Sequence, residues 1–292
     1  MENQHQKYDR LLEHIRLFCE KEKEIRAVMI VGSRARADGS ADVWSDLDLV
    51  LFSTKPDKYL SSEDWVREIG PYWMSFIEKT AVGNGKERRV LFDDALDVDF
   101  SIFSVHVFKQ LIENNDIQQI LSRGIRVLMD KDGVFEHIPE IEGKPFGESG
   151  SFPSPDEWTE MILDFWYHAV WSAKKLLRGE CWTAKVCIDH DLKQLVLKMS
   201  EWHAKAKHGK SYDTWHNGRF FDQWADPVII KDLNNCFAHY DAYDMQMALK
   251  HTMDLFRKVA KETAQRLDYP YPEQADKIAT EWVYHQLKEH AE

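Results

Sequence analysis

The chain is expected to be an α+β protein, with a mixed sheet and helices in its first half and an all-helical second half. Three observations predict this. Alternating apolar residues, as in Leu47-Asp48-Leu49-Val50-Leu51 and Leu96-Asp97-Val98-Asp99-Phe100, mark half-buried strands before residue 138. Residues 139–155 are rich in Gly, Pro and Ser, the composition of a domain boundary. Beyond them, apolar residues recur at helical spacing. A length of 292 residues makes two domains the natural division, here 1–138 and 156–292 with a linker at 139–155.

Tyr8, Leu11, Leu12, Ile15, Phe18 and Cys19 share one face of an amphipathic first helix. A strand beginning near Arg26 follows and ends at Gly32-Ser33. After a short basic turn, a second strand opens with Asp46-Leu47-Asp48 and alternates Leu47, Leu49 and Leu51 on one face. Pro56 and the segment Ser61-Ser62-Glu63-Asp64 interrupt the pattern, with Ser61 or Ser62 placed to cap a short helix carrying Trp65. Gly83-Asn84-Gly85 reads as a turn. Arg88 to Phe92 and Leu96 to Phe103 read as strands joined in a tight hairpin at Asp93-Asp94-Ala95. Helices near Val107 to Glu113 and Ile117 to Leu121 precede a last strand, Ile125 to Met129, after which Asp130-Lys131-Asp132-Gly133 turns away.

In the second half, Ser154-Pro155-Asp156-Glu157 is a helix start with Pro and acids in its first turn. Trp158, Met161, Ile162, Phe165, Trp166, Ala169 and Leu176 continue that helix to Gly179. Further helices are expected from about Thr183 to Trp202 and from Tyr243 to Leu267, before Tyr269-Pro270-Tyr271-Pro272. Dense aromatic residues here suit stacking on a base or sugar, but at helical spacing core packing explains most of them. Asp189-His190-Asp191 reads as a surface run, since adjacent helical residues do not share a face.

The chemistry concentrates between Val28 and Ser53. Asp46 and Asp48 lie two residues apart and project from the same face of a strand. Carboxylates that close repel, and keeping both ionised calls for a cation between them. Mg²⁺ suits such oxygen ligands and completes its octahedron with water and substrate phosphates. A lone Asp-x-Asp is more often a solvated turn. Here it stands on an ordered apolar strand, and Gly32-Ser33 follows Ile30-Val31 as a phosphate turn at a strand end does. A second pair, Asp97 and Asp99, lies on the polar face of the strand Leu96 to Phe103.

A net charge of −12 argues against a nucleic-acid partner and suits a cationic small substrate, although acidity also serves plain solubility. No apolar run is long enough to cross a bilayer and the amino terminus is polar, so a cytoplasmic protein is expected. Cys19, Cys181, Cys187 and Cys236 lack zinc-site spacing and are expected to be reduced, buried thiols. The chain is expected to act as a monomer or a homodimer.

Gly32-Ser33-Arg34, a spacer and Asp42-Val43-Trp44-Ser45-Asp46-Leu47-Asp48 resemble the signature of the DNA polymerase β-like nucleotidyltransferases. Together with LFDD, LMDKDG, TAKVCIDHDLKQLVLKMSEW and LFRKVAKETAQRLDYPYPEQADKIATEWV, the resemblance narrows to the streptomycin (aminoglycoside 6-) adenylyltransferase family and covers most of the chain. Leu47, where family members often carry an aromatic, the additional Asp97, and the loops at Val82 to Glu87 and Ala206 to Arg219 depart from it.

This resemblance implies a polymerase β-like catalytic domain, a helical domain that closes on substrate or nucleotide, and transfer of AMP from Mg-ATP to a hydroxyl of a cationic aminoglycoside such as streptomycin. Gly32, Ser33 and Arg34 or Arg36 would hold the triphosphate. Asp46, Asp48 and Asp99 would hold Mg²⁺, and Asp99, or on a second alignment Asp97, would be the general base. Lys193, with Lys185 and Lys198 nearby, would assist departure of pyrophosphate. Two alternatives stay open: the same chemistry on a lincosamide, nucleotide or protein hydroxyl, and a non-catalytic nucleotide-binding module.

Overall fold

A computed structural model describes residues 3–36, 41–80, 85–108, 110, 113–114, 117–118, 121, 124–136 and 152–288. Residues 83–84 of the expected turn, much of the expected helices between 107 and 121, and most of the linker at 139–155 lie outside this set. The chain divides into two compact units, Met1–Pro145 and Phe146–Glu292.

In the first unit, α1 (Gln4–Lys21) starts with a capping box in which Asn3 and Gln6 exchange side-chain and backbone bonds. Tyr8, Leu11, Ile15, Phe18 and Cys19 form its buried stripe. It leads into β1 (Ile25–Val31), then β2 (Leu47–Ser53). Two short helices follow, α2 (Pro56–Ser61) and α3 (Asp64–Ile69). Pro56, expected only to break the pattern, stands in the first turn of α2, where its missing N–H costs nothing. The hydroxyl of Ser62 accepts from the Asp64 N–H, though the residue at the start of α3 is Glu63.

Strands β3 (Tyr72–Lys79), β4 (Lys86–Phe92), β5 (Leu96–Ser104) and β6 (Arg126–Asp130) complete a six-stranded mixed sheet in the order β3-β4-β5-β2-β1-β6. The sequence did not mark β3. As the edge strand it leaves Trp73, Met74 and Phe76 more than half exposed, so it lacks the buried alternation that reveals a strand. β4 and β5 form the expected hairpin, with Asp94 and Ala95 at positive φ in the turn. β2 and β5 run parallel, whereas their neighbours in the sheet pair antiparallel.

Leu47, Leu49, Leu51, Val98, Phe100 and Ile102 join the α1–α3 side chains in one core. On the other face, Ala27, Met29 and Phe52 pack with Phe108, Leu121 and Phe135. Period-two alternation therefore sends Asp48 and Asp99 to the face away from α1–α3.

The second unit contains α4 (Pro155–Leu177), α5 (Cys181–Val186), α6 (Leu192–His208), α7 (Phe221–Trp224), α8 (Pro227–Leu233), α9 (Ala242–Leu267) and α10 (Glu273–Lys288). Ser154 and Glu157 form the capping box at the start of α4. A π-helical turn, Cys187–Asp191, joins α5 to α6. Trp158, Phe165, Trp166, Met199, Leu249, Phe256 and Val283 fill the core, where Phe165 stacks on Phe256 with ring centres 3.6 Å apart. Of the four free cysteines, Cys19, Cys187 and Cys236 are buried. Among the described residues, no helix is long and apolar enough to cross a membrane.

Candidate active site

The site begins at a turn that hydrogen-bonds to itself. Asp42 Oδ1 accepts from the Trp44 N–H at 2.8 Å and from the Ser45 hydroxyl at 3.1 Å, while Ser45 Oγ accepts from the Asp42 N–H at 2.9 Å. These local bonds are what Asp and Ser offer at turns, and they aim the next residue, Asp46, into β2. Arg34 Nε then donates to the Ser45 and Asp46 carbonyls at 3.1 and 3.0 Å, and its Nη2 to Ser45 at 2.6 Å.

Parallel pairing of β2 with β5 sets Asp48 directly beside Asp99. Asp46, Asp48 and Asp99 each present an oxygen, and these oxygens lie within 4.8 Å of one another. Burial pushes the Asp99 carboxyl up to about 6, with Arg89 pulling against it and Glu87, Asp46 and Asp97 adding to the rise. Arg89 Nη2 stands 3.3 Å from Asp99, while its Nε is shared between Glu78 at 3.1 Å and Glu87 at 3.2 Å. Asp99 thus shares its guanidinium with two glutamates, and a hard divalent cation fits the oxygen set of Asp46, Asp48 and Asp99.

Gly32 closes the site from the end of β1. Its φ is +72°, and a Cβ there would stand 2.0 Å from Asp48 Oδ2, so both conformation and space demand glycine. Ser33 and Arg36 follow. Ser33 Oγ and Arg36 Nε are buried and meet no hydrogen-bond partner among the described residues. Among the described residues Trp166 Nε1, Ser172 Oγ and the ring of His203 meet no hydrogen-bond partner either, so what distinguishes Ser33 and Arg36 is their place beside Gly32 and the acid group.

The remaining residues singled out from sequence have partners of their own within their units. Asp97 is exposed and accepts from the Tyr8 hydroxyl at 2.8 Å, outside the group formed by Asp46, Asp48 and Asp99. Arg34 spends its Nε and Nη2 on backbone carbonyls of the turn, and its guanidinium lies 3.5 Å from the centre of the Tyr8 ring. Lys193 is buried in the helical unit, where its ammonium donates to the Ile188 carbonyl and to Thr252 Oγ1, both at 2.8 Å. Burial depresses it to about 8. Lys185 is bound to Asp189 and to the Ala238 carbonyl, and Lys198 to Glu201 at 3.3 Å. Asp189 is half-buried beside Lys185, while His190 and Asp191 are exposed. Core packing accounts for Trp158, Phe165 and Trp166, yet Trp182, Phe237, Tyr240 and Tyr243 stand exposed on the helical unit.

Sequence reasoning missed Glu87, Arg89 and Tyr8. A signal for the first two existed, because counting back from the Asp93-Asp94-Ala95 turn places Arg89 opposite Asp99 and Glu87 opposite Ser101. Tyr8 gave none, since its contacts span 26 residues to Arg34 and 89 to Asp97.

Comparison with known proteins covers nearly the whole chain. Residues 5–286 match the family described as streptomycin adenylyltransferase. The aminoglycoside 6-adenylyltransferase of Bacillus subtilis (strain 168) is 23% identical over 93% of this chain and 95% of its own. Those of Campylobacter jejuni and Staphylococcus aureus are 24% and 21% identical, over 94% and 87% of this chain and 93% and 90% of theirs. With the acid group on paired strands, the glycine turn beside it and a match from α1 into α10, the chain belongs to the streptomycin adenylyltransferase family.

Proposed function

We propose that this protein transfers AMP from Mg-ATP to a hydroxyl of an aminoglycoside such as streptomycin and releases pyrophosphate. The observation that carries the reading is the convergence of Asp46, Asp48 and Asp99 beside Gly32-Ser33 in a chain of this family. The backbone of Gly32-Ser33 and the Ser33 hydroxyl would bind triphosphate oxygens, and Arg36, whose Nε meets no partner among the described residues, would add charge. The three aspartates would hold Mg²⁺, which supplies the charge neutralisation that phosphoryl transfer requires.

Asp99 would take the proton of the acceptor hydroxyl. It stands with Asp46 and Asp48, where a bound cation would keep its carboxylate ionised at neutral pH, as a general base requires. In this reading Arg34 holds the turn that presents Asp46, and Lys193 serves helix packing. Neither then touches the nucleotide. The acidic balance of the chain favours a cationic acceptor. Residues 1–138 would form the catalytic domain, 139–155 the linker and 156–292 the domain that closes on substrate. The free thiols favour the cytoplasm.

The test is an acceptor screen with ATP, GTP and CTP against streptomycin, other aminoglycosides and a lincosamide, reading pyrophosphate release and product mass. Streptomycin gaining one adenylyl group from ATP is the expected result. Turnover confined to a non-aminoglycoside acceptor, or no turnover with any, overturns the proposal.

A further inference from the structure

Asp46 differs from the other two acids in how it is held. Asp48 and Asp99 lie within strands and are paired across the β2–β5 ladder, whereas Asp46 precedes the first residue of β2. Its main chain is instead secured by Arg34, whose guanidinium takes the Ser45 and Asp46 carbonyls together. A planar fork reaches two carbonyls only when its plane is fixed, and a flexible arginine stem does not fix it. The Tyr8 ring does, lying 3.5 Å from the guanidinium carbon.

Tyr8 is itself immobilised. It is 3% exposed within the apolar stripe of α1, and its hydroxyl donates to Asp97 Oδ1 at 2.8 Å while accepting from the Asp97 N–H at 3.3 Å. The phenol is thereby anchored on β5, two residues before Asp99. One side chain from the first helix spans the separation between the turn carrying Asp46 and the strand carrying Asp99.

We infer that Tyr8 is a positioning residue for the divalent cation: its ring fixes Arg34, and Arg34 fixes Asp46 at the distance from Asp48 and Asp99 that the cation requires. The inference rests on the reading of these three acids as metal ligands. Leucine at position 8 would fill much of the core volume but leave the guanidinium plane free. The turn would then sample orientations in which Asp46 faces solvent, and cation binding would bear the cost of ordering it.

The test is a Mn²⁺ titration of the metal-free protein without nucleotide, reading free Mn²⁺ by electron paramagnetic resonance, with thermal melts of each variant. Loss of one desolvated cation–π stack predicts about tenfold weaker Mn²⁺ binding in Tyr8→Leu and in Arg34→Lys. The double variant should bind no more weakly than the weaker single, because both changes release the same element. Tyr8→Phe, which keeps the ring, should stay within about twofold of wild type. Arg34→Lys changes a partly exposed side chain and keeps the test usable if Tyr8→Leu does not fold. Wild-type Mn²⁺ affinity in a folded Tyr8→Leu or Arg34→Lys protein, or multiplicative losses in the double variant, overturns the inference. If the wild type binds Mn²⁺ no better than Asp46→Asn does, the metal reading itself fails, and the role of Tyr8 fails with it.

Discussion

Asp276 and Asp99 are both carboxylates largely withdrawn from water, and the fold treats them in opposite ways. In the helical unit, Asp276 is 3% exposed and accepts from Arg257 Nε, from the Tyr271 hydroxyl at 2.9 Å and from Thr280 Oγ1 at 3.0 Å. In the sheet unit, Asp99 meets Asp46 and Asp48, and Arg89 beside it is shared with two glutamates. A carboxylate needed for packing is surrounded by donors from its own fold. In the proposed function, Asp99 shares its arginine so that a cation from solution would complete the site.

The largest effect expected from that contrast is on turnover. Asp46→Asn or Asp48→Asn should each lower AMP transfer at least about a thousandfold, since no neighbouring group replaces a metal-bearing carboxylate. Melting of the metal-free protein should be unchanged or raised, because a like charge has gone. Retained turnover in either variant would remove the sheet half of the comparison.

Next comes the choice between the two acids of β5. Asp99→Asn should reduce turnover by about a hundred- to ten-thousandfold, the range for a lost general base. Asp97→Asn, at an exposed position, should act mainly on the acceptor KM. Measuring both constants for both variants decides, and an inactive Asp97→Asn with near-normal Asp99→Asn would show the base to be Asp97.

The helical half is tested by stability rather than rate. Asp276→Ala strands Arg257 and the Tyr271 hydroxyl and should cost about 3–5 kcal/mol in urea denaturation, the range for breaking a buried pair. A loss below about 1 kcal/mol would make it an ordinary surface contact.

The smallest expected effect sharpens the contrast through pH. The Asp99 carboxyl is raised from 3.8 to about 6 in the fold, so the folded state binds its proton more tightly than the unfolded chain does. That contribution is complete below about 4 and is lost as pH rises through about 6. Asp99→Asn should therefore stabilise the metal-free protein at pH 7.5 by up to about 3 kcal/mol and leave it unchanged at pH 4, since each tenfold difference in proton affinity between the folded and unfolded chain is worth about 1.4 kcal/mol. Adding Mg²⁺ should erase the difference by stabilising the wild type. Equal melting of both proteins at pH 7.5 without metal would mean that Asp99 already has compensating charge.

These residues also show where sequence reading succeeds. The hairpin at Asp93-Asp94-Ala95, the strand through Leu47-Asp48-Leu49 and the helix start at Ser154 were legible because each is written within a few residues. β3 was not, because an edge strand with exposed Trp73, Met74 and Phe76 carries no buried face to set a period. Helix α10 was visible only as part of the family resemblance, although Ala279, Val283 and Leu287 do recur at helical spacing.

The site divides in the same way. Alternation along β2 and β5 places Asp48 and Asp99 on one face of the sheet, and that much follows from the sequence alone. Their adjacency does not, because β2 and β5 pair in parallel across more than forty intervening residues, and strand order is settled by which apolar faces bury together. Basic residues are still less decided locally. Sequence reading offers Arg34, Arg36 and Lys193 as charges for the triphosphate and passes over Arg89. Packing then directs Arg34 to a turn, Arg89 to three carboxylates and Lys193 into a helical core, while Arg36 Nε meets no partner among the described residues. The reason is reach: a long cationic side chain bonds whatever carbonyl or carboxylate tertiary folding brings near it, and outside a hairpin register such as that of Arg89 no local pattern encodes that neighbour.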